Sequence, residues 1–113
     1  MYIISFCKKL YIYFFFSFYF LFLNSFPSNA MDLEKGKILF LQHCISCHEN
    51  GNNFIIPEKN LYLQTLKTNG IEKIPSLLYQ IINGKNGMPA FGGRLSENDL
   101  IVISFYVLEQ KDW

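Results

Sequence analysis

Cys44-Ile45-Ser46-Cys47-His48 is the stretch that decides the reading of this chain. Two cysteines three residues apart fall on one helical turn, and a histidine follows the second directly. That spacing is the attachment motif of a c-type haem. The thiols can reach the two vinyl groups on one edge of a porphyrin and add as thioethers, while the imidazole points at the iron. Three other readings stand beside it. A thioredoxin-like redox pair needs a βαβ setting, whereas Glu49-Asn50-Gly51-Asn52-Asn53 reads as a loop with no parallel-strand pattern near it. A structural zinc site takes four ligands, and the chain offers His43, Cys44, Cys47 and His48 crowded into six residues. A simple disulfide is the third. His43 precedes the first cysteine and projects from the other side of the helix, so it reads as a surface residue. His48 is the expected proximal ligand.

The second axial position points to a methionine. Beyond the first thirty residues the chain holds Met31 and Met88. Met31 falls at the expected mature N-terminus, where disorder is expected. Met88 lies in Asn83-Gly84-Lys85-Asn86-Gly87-Met88-Pro89-Ala90-Phe91-Gly92-Gly93. Pro89 disfavours the α conformation at Met88, and the glycines let backbone approach the flat face of a macrocycle. A lone methionine in a small domain is ordinarily core filler, but a glycine-rich Met-Pro loop is a poor place for filler. Met88 is therefore the expected distal ligand, and a thioether opposite a histidine raises the potential and closes the iron.

Helical signals surround these two loops. Asp32 can cap a helix through Leu33, Gly36, Lys37, Phe40 and Leu41 into the cysteine motif. Ser96-Glu97-Asn98-Asp99 resembles a capping box and opens a last helix through about Gln110, with Leu100, Ile103, Tyr106 and Val107 at helical spacing. The first and last helices are expected to cross at Gly36. Leu61, Leu63 and Leu66 suggest a short helix, and Pro75 can open another that carries Leu78, Tyr79 and Ile82 and stops at Asn83-Gly84. With no alternating strand pattern in competition, the expected fold is all-α, about four short helices wrapped on one haem.

Composition divides the chain at Ala30. Of its 113 residues 50% are hydrophobic, but residues 1–30 hold 12 of the 20 aromatics, and residues 31–113 contain 36 hydrophobics among 83. That is ordinary for a soluble domain. Lys8 and Lys9, the apolar run from Leu10 to Leu23, and a tail with small residues at Ser28 and Ala30 have the layout of a cleavable secretory signal. As a helix the run reaches about 21 Å, short of a hydrocarbon core of about 30 Å. The chain is expected to comprise a signal peptide over 1–30 and a single domain over 31–113. A retained anchor is the other reading. The abundance of Phe, Tyr, Ile, Asn and Lys beside only two alanines hints at an AT-rich genome such as an organelle's. Cys7 leaves with the signal. Residues 31–113 carry eight basic and nine acidic side chains, which excludes the basic footprint of nucleic-acid binding. About 83 residues bury only about 60–65% of their unfolded surface, too little for comfortable stability without a staple or cofactor.

Taken together, "CISCHENGNN", "YQIINGKNGMPAFGGRL" and "FYVLEQKDW" resemble the cytochrome c6 family of algal plastids and cyanobacteria over residues 32–113. The resemblance implies one covalent haem c on Cys44 and Cys47, axial ligands His48 and Met88, and a terminal-helix contact through Gly36, Phe40 and Tyr106. It also implies haem or propionate contacts at Asn53, Lys59 and Gln80, and a place for Arg94, the only arginine, near the docking surface for photosystem I. The implied role is not enzymatic: a soluble monomer carries single electrons from the cytochrome b6-f complex to photosystem I in the thylakoid lumen. Gly87 departs from the family, where alanine is usual, and is expected to add flexibility beside the ligand. The residues leave open a periplasmic carrier serving a respiratory oxidase, a haem enzyme or gas sensor, and a membrane-anchored carrier.

Overall fold

Helices form where the sequence repeats apolar residues at helical spacing, and the chain turns between them at Asn, Gly and Pro. The computed structural model describes residues 1–23, 28–110 and 113. Along them run α1 (Tyr2–Leu23), α2 (Ser28–His43), α3 (Ile45–His48), α4 (Leu63–Thr68), α5 (Ile74–Asn83) and α6 (Glu97–Glu109), with 3₁₀ turns at Glu49–Gly51 and Pro57–Lys59. The described residues contain no strand, only isolated bridges pairing Lys85 with Met88 and Gly92 with Leu95. The all-α expectation holds.

The core is built where α2 and α5 meet α6. Gly36 lets α2 touch α6: a Cβ there would stand 2.2 Å from the Val102 carbonyl oxygen and 2.9 Å from Tyr106 Cβ. One turn on, the buried Phe40 ring lies 5.3 Å from the ring of Tyr106. On α5, Leu77 and Ile81 are four apart on one face and join Leu100, Ile103 and Val107 of α6 in the core. The apolar residues that mark this helix in the sequence, Leu78, Tyr79 and Ile82, are not the ones it buries. Leu78 and Ile82 pack only partly against the core, and Tyr79 is exposed. Leu77-Leu78 and Ile81-Ile82 are adjacent apolar pairs, so the phase of the helix cannot be told from hydrophobicity alone.

Helix ends follow local chemistry. Pro75 sits in the first turn of α5, and the helix stops at Gly84 with φ 66°. Ser96 caps α6, its Oγ accepting a hydrogen bond of 3.2 Å from the Asp99 backbone N–H. Asp32 does not cap α2, because in the full chain the helix begins at Ser28 and carries Met31 and Asp32 inside it. The Asp99 carboxylate lies 2.6 Å from Lys35 Nζ of α2. Hydrogen bonds from Lys35 and then from the Ser96 hydroxyl hold its pKa below the usual carboxylate value. A lowered folded-state pKa contributes stability that is present above the unfolded value and is lost as pH falls through the folded one. Asp99→Asn should therefore flatten the acid limb of the stability–pH curve below about pH 4. Ser96→Ala should cost about 1 kcal/mol near neutral pH and less in acid, where the bond from its hydroxyl to the Asp99 carboxylate is already lost. Both are read by denaturant unfolding between pH 3 and 7.

At the other end, α1 runs for 22 residues straight through Lys8 and Lys9. Two flanking lysines do not interrupt a helix, so Tyr2–Leu21 is long and apolar enough to cross a membrane, beyond the 14-residue run read from sequence. Its residues are exposed through Leu21, and at i,i+4 spacing the Tyr11 ring is tilted by 42° against Phe15 while Phe14 stacks on Phe18.

Candidate functional site

The cysteine motif is presented by one short helical turn. Cys44 N–H donates to the Phe40 carbonyl at 2.8 Å, and His48 N–H donates to the Cys44 carbonyl at 2.9 Å, so α3 grows directly out of α2. Immediately after it the chain reverses through two left-handed residues, Asn50 (φ 52°) and Gly51 (φ 72°). The expected loop at 49–53 thus begins as a 3₁₀ turn. The reversal brings the Asn52 carbonyl back to His48 Nδ1 at 2.9 Å. A carbonyl only accepts, so Nδ1 carries the proton and Nε2 keeps its lone pair. Burial holds the His48 pKa below its ordinary value, opposed by that hydrogen bond. The imidazole is therefore neutral and free to ligate at neutral pH.

Burial, with a smaller contribution from neighbouring Cys47, pushes the Cys44 thiol up to about 11. That disfavours the redox-pair reading, because a nucleophilic cysteine of such a pair needs a lowered pKa. Cys44 and Cys47 are both free thiols rather than a disulfide. Among the described residues no group of three or more His, Cys, Asp or Glu is placed to hold a metal ion, which disfavours zinc.

Opposite these residues in the chain, the Met88 loop is held by its backbone. Lys85 N–H donates to the Met88 carbonyl at 3.1 Å and Met88 N–H to the Lys85 carbonyl at 3.0 Å, closing a tight turn over Asn86-Gly87. Asn86 takes φ 52°. Gly84 is required here, since a Cβ would stand 2.5 Å from the Met88 carbonyl oxygen. Gly87 does not need a left-handed φ. A Cβ on it would meet Ile55 Cγ2 at 3.0 Å, so the departure at this position concerns packing against Ile55 rather than flexibility alone.

One cleft gathers these parts, with about 220 Å³ open to the centre of a water molecule. Cys44, Cys47, His48, Asn53, Lys59, Gln80 and Met88 all line it, and Phe40, Leu66, Leu77, Phe91 and Ile103 form part of its apolar wall. A flat apolar macrocycle with a metal at its centre fits this set: two thiols, a neutral imidazole and a thioether border the same greasy space. Asn53 spends most of its side chain on its own loop. Its Oδ1 accepts from Ile55 and Ile56 N–H at 3.0 and 2.9 Å, and its Nδ2 donates to the Lys59 carbonyl at 3.1 Å. Lys59 Nζ donates to Asn69 Oδ1. His43 is exposed, as expected, although it borders the cleft. Arg94 stands outside the cleft and is exposed, its guanidinium 4.9 Å from the centre of the Phe91 ring.

A family model described as cytochrome c oxidase, cbb3-type, subunit III, matches residues 31–107. The chain is 47% identical to cytochrome c6 of Bumilleriopsis filiformis over 81 residues, 72% of this chain and 94% of that one. The chain belongs to the cytochrome c6 family. Cytochrome c6 of Petalonia fascia is 46% identical over 85 residues, 74% of this chain and all of that one. Among solved structures, cytochrome c6 of the diatom Phaeodactylum tricornutum superposes with a TM-score of 0.67 at 38% identity, covering 70% of this chain and 93% of that one. Cytochrome c6C from a Synechococcus strain gives 0.68 at 34% identity, covering 70% and 99%. As a c-type cytochrome the chain is a haem-dependent electron carrier. What sequence reasoning missed lies around the motif: the Asn52 carbonyl behind His48, the Ile55–Gly87 contact, and Trp113 packed on Gly51. The only outward sign of the first and last is the Asn50-Gly51 pair, a turn signal whose partner is 62 residues away in the case of Gly51 and Trp113.

Proposed function

We propose that this chain holds one haem c through thioethers from Cys44 and Cys47, with His48 and Met88 as axial ligands. It carries single electrons from the cytochrome b6-f complex to photosystem I in the thylakoid lumen. The observation that carries this reading is the single cleft bordered by both thiols, the neutral imidazole and the Met88 thioether. When bound, the haem supplies a one-electron iron couple. The rest is work for the protein. His48 is oriented through Asn52, Met88 is held by the Lys85 turn, and the apolar wall keeps water from the centre, so neither axial group has to move far. Lys59, Asn53 and Gln80 are among the polar groups that line the cleft and are proposed to meet the propionates. Asn53 has one unspent Nδ2 hydrogen to offer. Arg94, exposed and braced on Phe91, is the proposed contact for photosystem I. Residues 1–30 are proposed to direct export and to be cleaved after Ala30, leaving a soluble monomer.

Flash-induced reduction of photosystem I tests the role. Adding the haem-loaded protein should accelerate reduction in proportion to its concentration, and Arg94→Ala should slow it several-fold at low salt, with less difference at high salt. No acceleration by wild type would end the photosynthetic reading. The cbb3 description of the family model favours, as a second reading, a periplasmic carrier serving a respiratory oxidase. Haem-stained gels of exported protein separate cleavage from anchoring: a band lacking the first thirty residues supports the signal, and full-length staining supports an anchor.

A further inference from the structure

We infer that Trp113 is a positioning residue for His48, clasping the Gly51-Asn52 turn whose carbonyl orients the imidazole. The inference rests on the haem reading above. Trp113 lies so close over Gly51 that a Cβ on that glycine would meet indole Cγ at 2.3 Å and Cδ1 at 2.5 Å. Gly51 also takes φ 72°, so the turn at this point requires glycine twice over, for its backbone and for the ring that covers it. The indole Nε1–H donates to the Leu61 carbonyl at 3.2 Å. Leu61 N–H in turn donates to the Gly51 carbonyl at 2.7 Å. One indole thus ties together both ends of the segment from Gly51 to Leu61, and that segment carries Asn53 and Lys59 at the cleft.

The clasp is itself anchored in the core. The Trp113 ring centroid is 5.3 Å from that of Phe40 and 6.2 Å from that of Tyr106, the latter edge-on. Phe40 and Tyr106 are the aromatic pair at the close crossing of α2 and α6, so the position of the turn is tied to the packed core. Without the indole the ring cover over Gly51 is lost, and the turn is left to its backbone bonds, from Asn52 N–H to the Glu49 carbonyl at 3.0 Å, Phe54 N–H to the Cys47 carbonyl at 3.1 Å and Leu61 N–H to the Gly51 carbonyl, and to the Tyr62 hydroxyl, which reaches the Asn50 carbonyl at 3.4 Å and Asn52 Oδ1 at 3.3 Å. A hydrogen-bonded second partner fixes the tautomer and direction of a ligating histidine. Trp113 acts on that partner, not on the metal.

The test uses reduced, haem-loaded protein labelled with ¹⁵N and follows solvent exchange of the His48 Nδ1–H, with core amides such as Ile103 as the internal reference. Trp113→Ala should speed His48 exchange about tenfold while the core reference is unchanged, and Trp113→Phe, which keeps a ring on Gly51, should restore most of the protection. Should Trp113→Ala not fold, wild type decides. The Trp113 Nε1–H and His48 Nδ1–H should then respond together to temperature, as one opening exposes both, and independent responses overturn the inference. Unchanged His48 exchange in Trp113→Ala, or acceleration only in step with the core amides, marks Trp113 as merely structural and overturns it too. Covalent haem present with unmoved His48 exchange sinks this inference alone; protein that takes up no haem sinks the reading beneath it as well.

Discussion

Replacing Met88 by alanine should open the iron and lower the reduction potential. Axial-ligand identity governs a span of about 0.8 V across haem proteins, and losing a thioether opposite histidine should account for a fall on the order of 0.1–0.3 V. The reduced variant should bind carbon monoxide at neutral pH, which wild type with a closed axial position should resist. The backbone around Met88 makes this a clean deletion. The loop is closed by reciprocal bonds between Lys85 and Met88 and by the close approach at Gly84, none of which uses the Met88 side chain. The turn should therefore survive the substitution, so that the measured change reports the ligand rather than a collapsed loop. A potential equal to that of wild type, or carbon monoxide binding by wild type itself, would remove Met88 from the axial position and favour the enzyme or sensor reading. Met88→His is the informative companion, restoring a closed site with a low potential.

Much of the fold was legible because its signals are local. Ser96 with Asp99, Pro75, and Asn83-Gly84 each terminate or start a helix through atoms within a few residues. The crossing at Gly36 could be anticipated from a glycine four residues before a phenylalanine on one face. The grouping of the candidate residues was likewise readable, since Cys44, Cys47 and His48 fall within five residues and Met88 is marked by Pro89, and one cleft brings all four together. What was not legible depends on distance in sequence or on backbone atoms. The Asn52 carbonyl is a backbone group that any residue type would provide. Trp113 meets Gly51 only after α6 has crossed α2, and Ile55 meets Gly87 only after the cleft has closed. The phase of α5 was ambiguous for a different reason: paired apolar residues satisfy two adjacent faces equally, and the choice is made by the surface of α6. The start of α2 was not legible at Asp32 because a capping residue signals a helix end only where helical backbone stops, and here it continues back to Ser28.

The crossing of α2 and α6 should be the least forgiving point in the fold. Helix propensity alone favours Gly36→Ala by about 1 kcal/mol, so an isolated helix would be strengthened. In the folded chain the added Cβ would stand 2.2 Å from the Val102 carbonyl oxygen and 2.9 Å from both the Val102 carbonyl carbon and Tyr106 Cβ. Two of those three atoms are backbone and cannot rotate away, so relief requires the helices to move apart. Overpacking of a tight core costs about 1–3 kcal/mol, and more where no side chain can yield. Separation would also loosen Phe40 from Tyr106, whose rings now sit 5.3 Å apart, and through them Trp113. The net expectation is destabilisation of roughly 2–3 kcal/mol, which for a domain of this size lowers Tm by about 10–20 °C. Lys37→Ala, at the exposed neighbouring position of the same helix, should change stability by less than about 0.5 kcal/mol and serves as the control. Thermal unfolding of the haem-loaded variants separates the two forces. A Gly36→Ala protein as stable as wild type, or more so, would mean that propensity outweighs contact and that α2 and α6 do not approach this closely in solution.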